Sequence, residues 1–391
     1  MKYALKNAVK LGYLNILLLA VSVGVVVVMV LSKRVGVGYA VLAGAVMYGV
    51  SSLEPQMVLQ ATAATFDQRM LEVMLSLYFS MTLSYAMRRD GERIYNGMIV
   101  FGSKATAVGI PAAIGLLPMP GGAYVSATIA DRFYEQLKLD RKLRVLINYW
   151  WRHIWIAVWP LYQGVILASA ILHVGLASLV SRTWPVALAA AIAGLAVLPK
   201  LPRSNDSGML RDLVSLWPLA IVAVLSFAIP LPMAIGLTLL AYIVHSRMPG
   251  EELKQVFRQA VNFNVFLIIV GSLIFSSYIS ASGLSASLIK ILGPFGPLAV
   301  FTVPFVITLS TGIEFAFVAL TFPPLMGLLE GYWVALAFAG GHIGVMLSPA
   351  HSCFVLSSEY FKSDMKDIYP LLVRAITIEL VIITALAMLL R

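Results

Sequence analysis

The sequence predicts an all-α polytopic membrane protein. It is read as two inverted repeats of about five transmembrane helices each, each with a re-entrant hairpin and a broken helix. Three observations predict this. The 391 residues are 60% hydrophobic and only 12% charged, with a mean hydropathy of +0.90. Soluble domains carry about 25% charged residues, and half that fraction with repeated long apolar runs marks a chain that lives in a bilayer. Two of the apolar segments are interrupted by helix breakers. The order of motifs in the first half of the chain recurs in the second.

Taken in order, residues 1–12 read as an interfacial segment before a first span at 14–31. That run is longer than a signal-peptide core and is followed by Lys33-Arg34 instead of a small-residue cleavage site, so it is read as retained. Further spans are expected at 37–50, 70–87, 145–171, 185–198, 213–229, 232–244, 261–279, 332–347 and 371–390. The segments 105–130 and 298–329 are apolar but broken. In the first, "LLPMPGGA" (116–123) cannot continue a helix, because Pro removes a backbone donor and Gly adds backbone freedom. The polar stretch "KLPRSNDSGMLR", 200–211, reads as a cytoplasmic linker between a first repeat at 13–199 and a second at 212–391.

The repeat rests on three anchors. His153 aligns with His342 at an offset of 189, which also places Pro160 on Pro349 and Ser169 on Ser358. Pro111 aligns with Pro304 at 193, and Phe66-Asp67-Gln68 with Phe257-Arg258-Gln259 at 191. Basic residues set the orientation. Arg88, Arg89, Arg93 and Lys104 precede the first broken segment, and Arg132, Lys138, Arg141, Lys142 and Arg144 follow it. If both groups are cytoplasmic, the segment enters and leaves from one side, the second half is inverted, and the N-terminus lies outside. Non-helical backbone at membrane depth is tolerated only where protein buries it or a watery cavity meets it. Broken helices in inverted repeats are how many secondary transporters build a midplane site.

"LLPMPGGAYVSA", "YWWRHIWIAVWP" and "GHIGVMLSPAHSCFVLSSEYF" resemble the domain-of-unknown-function family 401 of archaea and bacteria. The resemblance covers nearly the whole chain. It implies a place in the ion transporter superfamily, with citrate, dicarboxylate, gluconate, arsenite and sodium/proton transporters. It also implies a homodimer with a scaffold domain and a moving transport domain. Sodium/dicarboxylate relatives carry Ser-Asn-Thr triplets at both hairpin tips. This chain has Pro118-Met119-Pro120 at one and Ser310-Thr311-Gly312 at the other, a departure in the residues that would bind Na⁺ and dicarboxylate.

Candidate substrate and ion residues cluster at the breaks. At the first tip these are Pro118, Gly121 and Gly122. At the second they are Ser310, Thr311 and Gly312, where freed carbonyls suit Na⁺, and Glu314. No other charge occurs between Phe301 and Leu329, and a mid-bilayer carboxylate costs roughly 2.5–3.5 kcal/mol or more unless it meets a cavity or a proton. Glu314 is therefore read as a cation or proton site, against a structural hydrogen bond. His153 and His342 either exchange protons or hold the broken spans in shape. Arg152, among Trp150, Trp151 and Trp155, either snorkels to an aromatic belt or grips a substrate anion. Ser348, His351 and Ser352 surround Pro349, and Gln163 follows Pro160. Cys353 is assigned to packing, and Glu54, Asp67, Glu72 and Glu379 to structure.

The expected function is secondary active transport of a small, anionic solute driven by H⁺ or Na⁺, by elevator-type alternating access. No soluble domain exists to hold ATP, and no cofactor or resident metal is expected beyond the coupling ion. Membrane lipids are the expected partners and nucleic acid is not, since a net charge of +10 reads as topology and lipid contact. A prokaryotic plasma membrane is the expected location. The alternative is an intramembrane enzyme acting on a lipid-linked or small hydrophobic substrate, with His153, His342 or His351 as base. A missing acid pair or nucleophile constellation argues against it.

Overall fold

The computed structural model describes residues 2–32, 34–204 and 207–389. Met1, Lys33, residues 205–206 of the expected linker, and residues 390–391 lie outside the described residues. Every regular element among the described residues is helical. Before the linker run α1 (Lys2–Leu31), α2 (Val37–Ser52), α3 (Pro55–Thr65), α4 (Gln68–Ala86), α5 (Gly91–Met98), α6 (Ser103–Gly115), α7 (Gly122–Gln136), α8 (Arg141–His153), α9 (Gln163–Leu172) and α10 (Leu176–Val197). After it run α11 (Trp217–Leu225), α12 (Leu231–Ser246), α13 (Gly250–Ala260), α14 (Phe263–Ala281), α15 (Leu284–Leu292), α16 (Gly296–Thr311), α17 (Ala316–Leu325), α18 (Trp333–Leu347), α19 (Ser352–Tyr360) and α20 (Met365–Leu389). Among the described residues, seven stretches are long and apolar enough to cross a membrane. The order of longer and shorter helices from α2 to α10 recurs from α12 to α20, while α1 is long and α11 short.

Side-chain caps start two of the long helices. Asp67 caps α4, accepting the Met70 amide at 2.9 Å, and Asn262 caps α14, accepting the Val265 amide at 3.2 Å. Asp67 and Asn262 thus each cap a helix of 19 residues. Arg258, which the sequence alignment set opposite Asp67, lies in the last turn of α13 and has no acceptor to offer an orphan amide. One expected span and the expected N-terminal segment also change. Residues 213–229 form a 3₁₀ turn (Leu210–Leu216) and the short α11, because Pro218 fixes a helix start and disfavours α geometry just before it. The 1–12 segment is no separate element, since α1 runs unbroken from Lys2.

Several of the basic residues pair with acids of other helices. Arg132, near the end of α7, pairs with Glu92 of α5 at 2.7 Å and lies over the Tyr95 ring. Arg89 pairs with Glu252 of α13 at 3.3 Å. At the start of α6, Ser103 accepts the Ser204 amide of the linker at 2.7 Å. Both ends of the α6–α7 pair, the linker and α13 therefore share one end of the molecule.

The centre is packed by close backbone approach. Gly340, Gly341 and Gly344 line one face of α18. A Cβ at Gly340 would sit 2.1 Å from the Phe301 carbonyl, and one at Gly344 2.4 Å from the Phe305 carbonyl, so α16 lies directly on α18. Overpacking a fitted core costs about 1–3 kcal/mol. Gly340→Val is expected to lower the apparent unfolding temperature of purified protein by that equivalent. A Gly340→Val variant that melts with the wild type would show that the helices do not need this contact.

Candidate functional site

The site begins with a helix that ends inside the protein. α6 stops at Gly115, and its last carbonyls would be orphaned. The Leu116 and Leu117 amides turn back onto Ala113 and Ile114. The broken stretch after α8 supplies the rest. Trp155 Nε1 donates to the Ala112 carbonyl at 2.9 Å, Trp159 Nε1 to Leu116 at 2.8 Å, and the Tyr162 hydroxyl contacts the Gly115 and Arg152 carbonyls at 2.9 and 2.8 Å. Further back, Pro111 leaves the Ala107 carbonyl without its helical donor, and the Tyr134 hydroxyl fills it at 2.9 Å. The aromatic residues of "YWWRHIWIAVWPLY" are thus internal braces. Trp150 is buried and donates to the Ala190 carbonyl at 2.9 Å, which overturns the aromatic-belt reading.

Arg152 does not snorkel either. It is only 4% exposed, and its Nε and Nη1 are buried with no hydrogen-bond partner. Its Nη2 lies against the first residue of α7, where a Cβ on Gly122 would be 2.3 Å away. Gly121, in the left-handed region at φ 74°, turns the chain into that helix. A guanidinium therefore stands at the start of α7, where the Gly122 amide bonds the Met119 carbonyl at 3.1 Å and the Tyr124 amide the Gly121 carbonyl at 2.9 Å. Of the first-tip residues, Gly122 meets the guanidinium directly. Pro118 is buried, and Pro120 and Gly121 are exposed.

The second tip is built differently. α16 ends at Thr311, and Gly312 takes a left-handed conformation at φ 66°. A Cβ there would strike the backbone of Ala350 and His351, so α18's break presses on the tip. Ser348 donates to the Leu309 carbonyl at 2.8 Å, and His351 Nδ1 to the Gly312 carbonyl at 2.7 Å. Thr311 folds its hydroxyl back onto Ile307 at 2.7 Å. Among the described residues the Ser310 and Thr311 carbonyls accept no bond outside the helix ladder. Phe315, after the tip, packs over Gly164 of α9.

The two tips are joined through imidazoles. His351 Nε2 lies 3.0 Å from His153 Nε2, and Glu314 Oε2 lies 3.9 Å from the same His153 nitrogen. The Glu314 side chain is 19% exposed and His153 is 2% exposed. Arg152, His153, Gly122, Gly312, Glu314, Ser348 and His351 thus occupy one neighbourhood. Gln163 stands beside it at the start of α9, half-buried, while Ser352 is exposed at the start of α19.

His342 is not part of this cluster's hydrogen bonds. Its Nδ1 meets Glu379 Oε1 of α20 at 2.8 Å, both fully buried, and its ring packs edge-on to Trp150. The sequence repeat pairs His153 with His342, but the first break spans 154–162 and the second only 348–351. His153 therefore ends its helix while His342 stays inside α18, and His351 takes the place facing His153. Glu379 was readable only as a lone acid in an apolar span, with nothing to name its partner. Cys353, assigned to packing, lies within 4.8 Å of the ligating nitrogens of both His153 and His351. Its signal was weak, because one Cys three residues after an altered helix register points nowhere in one dimension.

The fold and site define a multi-pass, all-helical membrane protein with a buried polar centre made by four interrupted helices. The chain belongs to the family described as Protein of unknown function (DUF401), whose model matches residues 14–390. A search of curated proteins finds no match.

Leaving a buried carbonyl without its donor costs about 1–3 kcal/mol. Trp155→Phe removes the donor to Ala112 and part of the packed indole while keeping an aromatic ring. It is expected to destabilise the purified protein by that amount and to speed proteolysis at 116–121. Wild-type stability and cleavage would mean that the first tip is held by other contacts.

Proposed function

We propose that this protein is a secondary active transporter of a small anionic solute, coupled to H⁺ or Na⁺. Arg152 carries the reading. A buried charge with two unpartnered nitrogens is expensive, commonly several kcal/mol, unless something neutralises it. A carboxylate or oxyanion would accept from the guanidinium while the α7 N-terminus adds its partial positive charge. Glu314 is the acid nearest the cluster. Paired with the unbonded Ser310 and Thr311 carbonyls, it is the place for the coupling cation, and its negative charge opposes the solute's, so cation and anion bind better together.

The α6–α7 and α16–α17 pairs read as re-entrant hairpins of two inverted repeats. The support is the recurring element order, the shared basic end around α6–α7, and the meeting of both tips on breaks in α8–α9 and α18–α19. The same reading extends to elevator-type movement of a homodimer in a prokaryotic plasma membrane, as the resemblance to ion transporters implies. An intramembrane enzyme is the second reading, favoured by the Cys353 thiol beside two imidazoles.

Accumulation of a labelled small anion in proteoliposomes under an imposed ion gradient tests the choice. Arg152→Gln removes a charged bond worth about 1.5–3 kcal/mol, so apparent solute affinity is expected to fall on the order of 10–100-fold. Glu314→Gln is expected to insert normally and still exchange solute at equilibrium, but to lose gradient-driven accumulation. Uphill accumulation by the Glu314→Gln variant at the wild-type level removes the coupling role. Chemical turnover of the solute without a gradient moves the protein to the enzyme class.

A further inference from the structure

We propose that His153, His351 and Cys353 form a binding site for a thiophilic divalent transition ion, Zn²⁺ foremost. The two imidazoles carry the inference. His153 Nδ1 bonds the Tyr149 carbonyl at 2.6 Å, and His351 Nδ1 bonds the Gly312 carbonyl at 2.7 Å. A carbonyl only accepts, so each Nδ1 must hold the proton. In the neutral rings both Nε2 atoms then carry lone pairs, that of His153 within hydrogen-bond reach of the Cys353 thiol, and they face each other across 3.0 Å. Two acceptors at that separation repel unless a cation sits between them.

The surroundings select the cation. Cys353 Sγ and the two nitrogens all lie within 4.8 Å of one another, and both histidines are buried. A tetrahedral Zn²⁺ with Zn–N near 2.0–2.1 Å and Zn–S near 2.3 Å sets such atoms roughly 3.3–3.8 Å apart. The nitrogens need open by only a few tenths of an ångström, and the thiol, within 4.8 Å, need turn in to about 3.5 Å from them. Imidazole and thiolate together favour Zn²⁺ over Mg²⁺ or Ca²⁺, which seek oxygen. Glu314 Oε2, 3.9 Å from His153 Nε2, borders the fourth position. Thiolate and carboxylate together would balance the ion's charge beside the nearby Arg152.

The outer contacts are those of a prepared site. Both Nδ1 atoms are held by carbonyls, which orients each Nε2 inward. The Tyr149 ring packs against both imidazoles at 5.0 and 5.7 Å and stacks on Phe354 at 4.8 Å, while its hydroxyl is tied to the Val345 carbonyl at 2.8 Å. The rings are therefore fixed before any ion arrives. A shared proton would also join the two nitrogens, but it would need no thiol.

Ion binding at equilibrium requires no transport, so this inference and the proposed function fail separately. Purified full-length protein, stripped with a chelator, is titrated with Co²⁺ and then with Zn²⁺. Strong tetrahedral d–d bands with a thiolate-to-cobalt charge-transfer band, both erased by Zn²⁺, are expected. Cys353→Ser, nearly isosteric, should lose the charge-transfer band. His351→Gln should weaken Zn²⁺ by more than the roughly 10–100-fold that follows loss of a group that only orients a ligand. His173→Gln and His245→Gln should leave the spectrum unchanged. Failure of the wild-type protein to bind Co²⁺, weak octahedral bands alone, a charge-transfer band that survives Cys353→Ser, or a spectrum lost with His173 or His245 would each overturn the proposal.

Discussion

A helix that stops inside an apolar core leaves carbonyls and amides that water cannot reach, and the rest of this structure follows from satisfying them. Each unsatisfied group in such surroundings costs about 1–3 kcal/mol. At the first tip the donors are Trp155, Trp159 and Tyr162, all from the break that follows α8. At the second they are Ser348 and His351, from the break that follows α18. Each broken helix therefore serves as the cap of a neighbouring helix pair. Four breaks are mutually supported, and moving one would expose another.

That arrangement concentrates function. Donors that cap α6 come from the stretch that also carries Arg152 and His153, so the cation and the imidazole are set in place by structural bonds. His351 joins the second tip to His153 while holding the Gly312 carbonyl. Between the tips, among the described residues, the Arg152 Nε and Nη1 and the Ser310 and Thr311 carbonyls are left without partners. The His153–His351 contact at 3.0 Å and the approach of Glu314 to His153 at 3.9 Å join the two sides of this polar centre.

Much of this was legible in one dimension, for physical reasons. Pro118 to Gly122 and Ser310 to Gly312 announce breaks because proline and left-handed glycine act locally. Apolar runs of spanning length announce helices. Glu314 stands out because carboxylates are costly in oil. Register across elements was not legible. His153 and His342 match as letters, yet a break of unequal length turns His342 towards Glu379 and brings His351 forward instead. The tryptophans beside Arg152 look like an interfacial belt, since nothing local shows that α6 ends against them. Cys353 gained its place only through contact with two histidines, one of them in the other half of the chain.

If the buried Arg152 guanidinium is kept for an anion, ligand should stabilise the protein through it. This is read most directly from the apparent unfolding temperature of purified protein against a panel of small carboxylates and oxyanions, for the wild type and for Arg152→Met. Ligand that binds only the folded state stabilises by about 2.7 kcal/mol at a hundred times its dissociation constant. At least one anion is expected to raise the wild-type temperature progressively with concentration. The Arg152→Met variant is expected to start at or above the ligand-free wild type, having lost an unpaired buried charge, and not to respond. An Arg152→Met variant that melts well below the wild type, or that is stabilised equally by the same anion, would mean that the guanidinium serves the fold and not a ligand.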